Sequence, residues 1–254
     1  MPVGGAAPAN VEPGDETESA RLIREMFGRV APRYDLLNHL LSGQIDRLWR
    51  ARLVRAVRPY LGREGTRVAD LCCGTGDLAL AMARERRRLA ADRGPDVIAS
   101  DFSRPMLRRA KEKSLRASLP IVLAEADAAR MPLPDRCLDV IGVAYGFRNL
   151  ANYRRGADEF RRLLAPGGCL AILEFSRPRS RIWGAVFNAY FKHLLPRLGN
   201  AISRSGGAYS YLHDSVRRFP SPEEVRALLL EAGFSDVRFH VLTAGVSVLY
   251  LAYC

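Results

Sequence analysis

The sequence predicts an α/β protein built on a doubly wound sheet of seven strands, the last of them antiparallel. Three observations predict it. From about residue 64, short β-rich runs alternate with helical stretches, the pattern of a parallel sheet covered on both faces. The first strand run leads through Gly74-Thr75-Gly76 into a helical stretch, the tight strand-to-helix turn of such folds. Only Thr243-Ala244-Gly245 separate the last two strand runs, which suits a hairpin and not a crossover.

Taken in order, residues 1–16 are rich in Gly, Pro, Ala and acids without periodicity and are expected to form a disordered tail. Residues 17–63 read as an N-terminal helical cap. Apolar positions recur at helical spacing (Leu22, Ile23, Met26, Phe27; Leu36, Leu37, Leu40, Leu41; Leu48, Trp49, Leu53, Val54, Val57). Pro32 and Ser42-Gly43 divide this region into two or three short helices. Residues 64–254 form the α/β domain. Its strands are expected at Arg67–Cys72, Asp96–Ser100, Ile121–Glu125, Leu138–Ala144, Cys169–Phe175, Asp236–Leu242 and Val246–Tyr253. Helices fall at 77–90, 104–117, 152–165 and 222–232, and an irregular insertion, 177–220, precedes the last of them.

A chain of 254 residues buries roughly 70–75% of its unfolded surface and needs no staple. The five cysteines are odd in number and lack Cys-x-x-Cys spacing, which argues against a disulfide framework and a zinc knuckle. The four histidines are scattered, so no metal site is expected. No secretory pattern opens the chain and no run of about 18 apolar residues occurs, so a cytoplasmic, reduced protein is expected. The net charge of +12 is uneven: residues 21–63 carry ten bases against three acids, and 177–218 carry eight against one. These basic segments suit an anionic membrane surface or another acidic partner.

The glycine turn lets a ligand approach the backbone closely. Asp70 lies four residues before Gly74, and a carboxylate there favours a cation-bearing ligand over a pyrophosphate. Asp101 ends the second strand, where an acid can accept ribose hydroxyls, and Asp127 follows the third, where it can accept an exocyclic amine. In register, these acids describe a nucleoside site with a cationic end. Here the sequence resembles the class I methyltransferases, and Leu163-Leu164-Ala165-Pro166-Gly167-Gly168 is similar to their turn before strand five. The resemblance implies a Rossmann-like fold and S-adenosylmethionine as methyl donor. It implies binding through Asp70, Gly74, Thr75, Gly76, Asp101, Asp127, Ala128 and Ala144.

Three further blocks narrow the likeness. They are Met26-Phe27-Gly28-Arg29-Val30-Ala31-Pro32-Arg33-Tyr34-Asp35, Tyr145-Gly146-Phe147-Arg148-Asn149-Leu150, and Tyr209-Ser210-Tyr211-Leu212-His213-Asp214-Ser215 with Phe219-Pro220. Together they closely resemble the ubiquinone/menaquinone biosynthesis C-methyltransferase family from about residue 20 onward. The resemblance implies methylation of a ring carbon of a polyprenylated quinol, such as demethylmenaquinol to menaquinol. Arg148 would stabilise a phenolate or orient a water, Asn149 would bond a ring oxygen, and Tyr34 would close the site. Cys72-Cys73 departs from the small residues usual in the turn, and Ala144 stands where some members carry Ser. The alternatives are another small hydrophobic acceptor or a nucleic acid. The latter is disfavoured because the turn after strand four lacks the Asn/Asp-Pro-Pro-aromatic pattern. The expected setting is the cytoplasmic face of the inner membrane, peripherally bound, with ring type and oligomeric state, a homodimer included, left open.

Overall fold

The computed structural model describes residues 44–89, 96–178 and 208–254. Seven strands form one sheet: β1 Val68–Leu71, β2 Val97–Asp101, β3 Ile121–Glu125, β4 Leu138–Ala144, β5 Leu164–Phe175, β6 Asp236–Leu242 and β7 Ser247–Tyr253. The spatial order is β3-β2-β1-β4-β5-β7-β6. β1 to β5 pair in parallel, and β7 lies antiparallel between β5 and β6. The seven-strand sheet and its reversed last strand are those the sequence predicts.

Alternate residues of the central strands serve opposite faces, as a period of two requires. On β5, Leu170 and Ile172 join Phe147, Phe160 and Tyr250 in one core layer. Cys169, Ala171 and Leu173 join Trp49, Leu53, Val57 and Met82 in the other. The layers are completed by helices α1 Ile45–Leu61, α2 Asp77–Arg88, α3 Arg104–Ala117, α4 Tyr153–Leu163, α5 Ala208–Arg218 and α6 Pro222–Glu231. In α1, Trp49, Leu53, Val57 and Leu61 recur at helical spacing and are buried, packing on α2 and β5. Asn152 caps α4 by accepting from the Arg155 amide at 3.0 Å. Ser221 and Glu224 form a capping box at the start of α6.

Among the boundaries that differ from the sequence reading, three bear on the site. β1 ends at Leu71 because Cys72 turns into the left-handed region at φ 58°. α4 stops at Leu163, and β5 begins at Leu164, not Cys169, because Leu164 already pairs with Leu138 before the register jumps to Val140–Cys169. The intervening turn is tied to the chain's end: the Gly167 amide donates to the Cys254 carbonyl at 3.2 Å. The third is β2, which runs Val97–Asp101 and so ends on the acid itself. Of the cap, the single helix α1 is described, and of the insertion, α5. The expected tail, Tyr34 and most of both basic segments lie outside the described residues.

Candidate active site

The ends of β1 to β4 converge on the turn Cys72–Gly76. The Gly74 amide donates to Asp101 Oδ2 at 2.8 Å, and the Ser103 amide donates to Oδ1 at 2.9 Å. Asp101 therefore ties the glycine turn to the start of α3. Gly76 opens α2 at φ 82°, and a Cβ there would lie 3.0 Å from that of Ala110. Thr75 is buried, and its hydroxyl accepts from Lys113 Nζ at 2.8 Å. Lys113 also pairs with Asp77 at 2.6 Å, and Arg50 reaches Asp77 while pairing with Asp46. This chain of charges braces the outer flank of the turn.

Asp70 is 1% exposed. Its Oδ2 accepts the Ala79 amide at 2.8 Å, whereas Oδ1 is buried with no hydrogen-bond partner among the described residues. Burial, reinforced by Asp101 and Asp77, holds this carboxyl well above the usual range. A buried carboxylate oxygen without a donor is costly, and a ligand cation would offset that cost. Asp127 is exposed after β3, its Oδ1 accepting the Ala129 amide at 2.9 Å, while Ala128 is buried in the core. The Cys72 and Cys73 thiols are pushed well up by burial and by Asp101, so they stay neutral packing groups.

Ala144 is half-buried at the end of β4. Beyond it the chain bends sharply, with Tyr145 at φ 60° and Phe147–Asn149 in a 3-10 turn. Gly146 is required here, since a Cβ would lie 2.3 Å from Cys72 Cβ. Gly146→Ala is expected to cost about 1–3 kcal/mol by overpacking, read as a lower Tm. Cys72→Gly in the same chain should restore most of the loss, and an unchanged Tm for the single variant would contradict this packing.

Arg148 does not project openly: its side chain is 5% exposed. Nη1 donates to Glu174 Oε1 at 2.7 Å and to the Tyr145 carbonyl at 2.6 Å, and Nε donates to Ser215 Oγ at 3.4 Å. The guanidinium lies over the Phe175 ring, 5.5 Å from its centroid. Asn149 donates to the Tyr145 carbonyl at 3.3 Å, and its Oδ1 accepts from the Tyr211 hydroxyl at 2.8 Å. The structure thus brings Arg148 and Asn149 together with α5.

Sequence reasoning missed Glu174 and the aromatic cluster beside it. Tyr145 stacks on Phe175 with centroids 4.6 Å apart, and Trp49 meets both. Trp49 Nε1 donates to Thr243 Oγ1 at 2.8 Å, joining α1 to the last hairpin. One signal was present: Glu174 interrupts the apolar run Leu170-Ala171-Ile172-Leu173 of a buried strand, and such an acid demands a basic partner.

A sheet in this order, with acids at the ends of β1 and β2, another just past β3, and a glycine turn after β1, defines the S-adenosylmethionine-dependent methyltransferase fold. Solved structures share it: such a methyltransferase from Thermotoga maritima (TM-score 0.61, 17% identity, 91% of this chain and 99% of that one) and one from Aquifex aeolicus (0.54, 19%, 78% and 87%). The chain belongs to the ubiE/COQ5 methyltransferase family, whose sequence pattern matches residues 15–254. A demethylmenaquinone methyltransferase from Thermus thermophilus is 45% identical over 226 residues, 89% of this chain and 98% of its own length. One from Deinococcus radiodurans is 40% identical, covering 94% and 95%. A ubiquinone/menaquinone biosynthesis C-methyltransferase from Geobacter sulfurreducens is also 40% identical, covering 92% and 89%. The fold by itself does not decide the reaction, since the cyclase SpnF aligns with a TM-score of 0.65 at 16% identity, covering 98% of this chain and 97% of that one.

Proposed function

We propose that this methyltransferase transfers the methyl group of S-adenosylmethionine to a ring carbon of a polyprenylated quinol, converting demethylmenaquinol to menaquinol. The observation that carries the reading is the turn after β4, which holds a cation, Arg148, and an amide, Asn149, on the strand next to the glycine turn. The names of the 40–45% identical relatives point to the same chemistry.

The residues fit the donor. Asp70 Oδ1, buried without a partner, complements its cationic end. Asp101 accepts the ribose hydroxyls, Asp127 the adenine amine, and Gly74, Thr75 and Gly76 allow close approach, with Ala128 and Ala144 as walls. When bound, the donor supplies a sulfonium-activated methyl group, whose carbon–sulfur bond breaks as the ring carbon bonds to it. Arg148 stabilises negative charge on the ring oxygen and stays protonated, so it is not the base. Asn149 orients a ring oxygen, and alignment of carbon, methyl and sulfur supplies much of the rate. The displaced ring proton leaves to water.

Residues 64–254 are read as the catalytic domain, 17–63 as a cap and 177–220 as the acceptor-side insertion. Trp49 reaching Thr243, and Ser215 and Tyr211 reaching Arg148 and Asn149, support that division. The assay is reduced short-chain demethylmenaquinol with S-adenosylmethionine. A product one methyl heavier is expected, and an unchanged quinol with a methylated alternative acceptor would reject the reading.

The substrate's prenyl tail belongs in a bilayer, so the protein is read as peripheral to the cytoplasmic membrane face. Among the described residues, no helix is long and apolar enough to cross a membrane. On α1 the solvent face carries Arg47, Arg52, Arg55 and the 70%-exposed Leu48, a composition that suits an anionic interface. Each arginine near such a surface contributes about 1 kcal/mol. Co-sedimentation should therefore require anionic vesicles and weaken as salt rises. Equal binding to neutral vesicles would exclude electrostatic docking.

A further inference from the structure

We infer that Glu174 is the positioning residue of the acceptor site, holding the β4 turn and helix α5 as one unit. The inference rests on the proposed quinol reading for its kinetic test, though its geometry stands apart from it.

Glu174 is fully buried at the end of β5. Oε1 accepts from Arg148 Nη1 at 2.7 Å and from the Phe175 amide at 2.8 Å, while Oε2 accepts from the Arg148 amide at 3.1 Å. One carboxylate therefore fixes both the backbone and the guanidinium of Arg148. From there two contacts run to α5: Arg148 Nε to Ser215 Oγ, and the Tyr211 hydroxyl to Asn149 Oδ1. Asn149 and Arg148 Nη1 share the Tyr145 carbonyl, which closes the network. The main-chain carbonyl of Glu174 accepts from Ser247 Oγ at 3.0 Å, anchoring the acid to β7.

Stability alone is a poor reason for this arrangement. A buried ion pair loses most of its Coulombic gain to desolvation, and a well-packed apolar pair often serves the fold as well. What an apolar pair cannot do is aim a guanidinium and an amide at fixed angles. Glu174 makes three of its hydrogen bonds to Arg148 and Phe175, the residues bordering the turn and the aromatic cluster. Among the described residues, its side-chain hydrogen bonds go to Arg148 and Phe175 and not to Gly74, Thr75, Gly76 or Asp101. Its effect is accordingly on the acceptor and not on donor binding.

The test is Glu174→Gln, which keeps the shape but loses the charge and sets an amide NH2 against one of the donors. Turnover of the short-chain quinol is expected to fall about tenfold or more, while donor affinity by calorimetry stays within about twofold. Glu174→Asp, charged but shorter, should recover part of the loss. Amide hydrogen exchange should speed up together over 145–149 and 208–218, a readout independent of the substrate. Wild-type turnover reports on the quinol reading, whereas the variant-to-wild-type ratio and the exchange pattern report on Glu174. Unchanged exchange in both segments, or donor affinity falling in step with turnover, would overturn the inference. Should Glu174→Gln fail to fold, Tyr211→Phe decides: a raised quinol KM at unchanged donor affinity supports the network, and wild-type kinetics overturns it.

Discussion

Arg148→Ala is expected to lower unfolding free energy by about 3–5 kcal/mol, because it leaves Glu174 as a buried carboxylate without its counter-charge. Activity should fall as well, so kinetics alone would conflate two effects. Urea denaturation separates them. The paired change Arg148→Met with Glu174→Leu should recover most of the stability, since apolar side chains replace both charges together. It should recover none of the turnover, because the cation proposed to stabilise charge on the ring oxygen is then gone. A single Arg148→Ala variant with a wild-type midpoint would mean the pair is not buried. Recovery of turnover in the double variant would remove Arg148 from the chemistry.

Asp101→Ala should weaken S-adenosylmethionine binding by about 1.5–3 kcal/mol, the range for hydrogen bonds to a charged acceptor. Two causes act together. The proposed ribose contact is lost, and the Gly74 and Ser103 amides lose the oxygens that shape the turn. Asp101→Asn should fall between, since the amide keeps one acceptor oxygen but turns an NH2 toward the other backbone donor. Calorimetry on folded variants reads the difference. Unchanged affinity in Asp101→Ala would remove Asp101 from the donor site.

The clustering of the glycine turn with its acids was legible in the sequence, and the surroundings of the turn after β4 only partly so. Gly74, Gly76, Asp70 and Asp101 sit at strand ends, and in a parallel sheet every strand end reaches the same edge. Their convergence follows from strand assignment alone. Arg148 and Asn149 were legible as a motif but not as a geometry. The motif named a cation for the acceptor but not its partners, and the structure gives its guanidinium to Glu174, Tyr145 and Ser215. Those partners lie up to 67 positions away in the chain, and no local pattern pairs them.

The same contrast holds for the fold. Short β-rich runs and glycine punctuation predicted seven strands, their alternation with helices and the closing hairpin, because such patterns are written locally in the chain. The start of β5 was misplaced because Leu164 is held in the strand by pairing with Leu138 across the sheet, past a turn that reads as a helix stop. Glu174 likewise looked like one polar residue in an apolar strand until Arg148 was brought beside it. By itself the sequence determined which residues lie at the sheet's edge and which chemistry they bring. Only the tertiary structure decided which charges face each other, because burial makes an unpaired charge too costly and so selects its partner from anywhere in the chain.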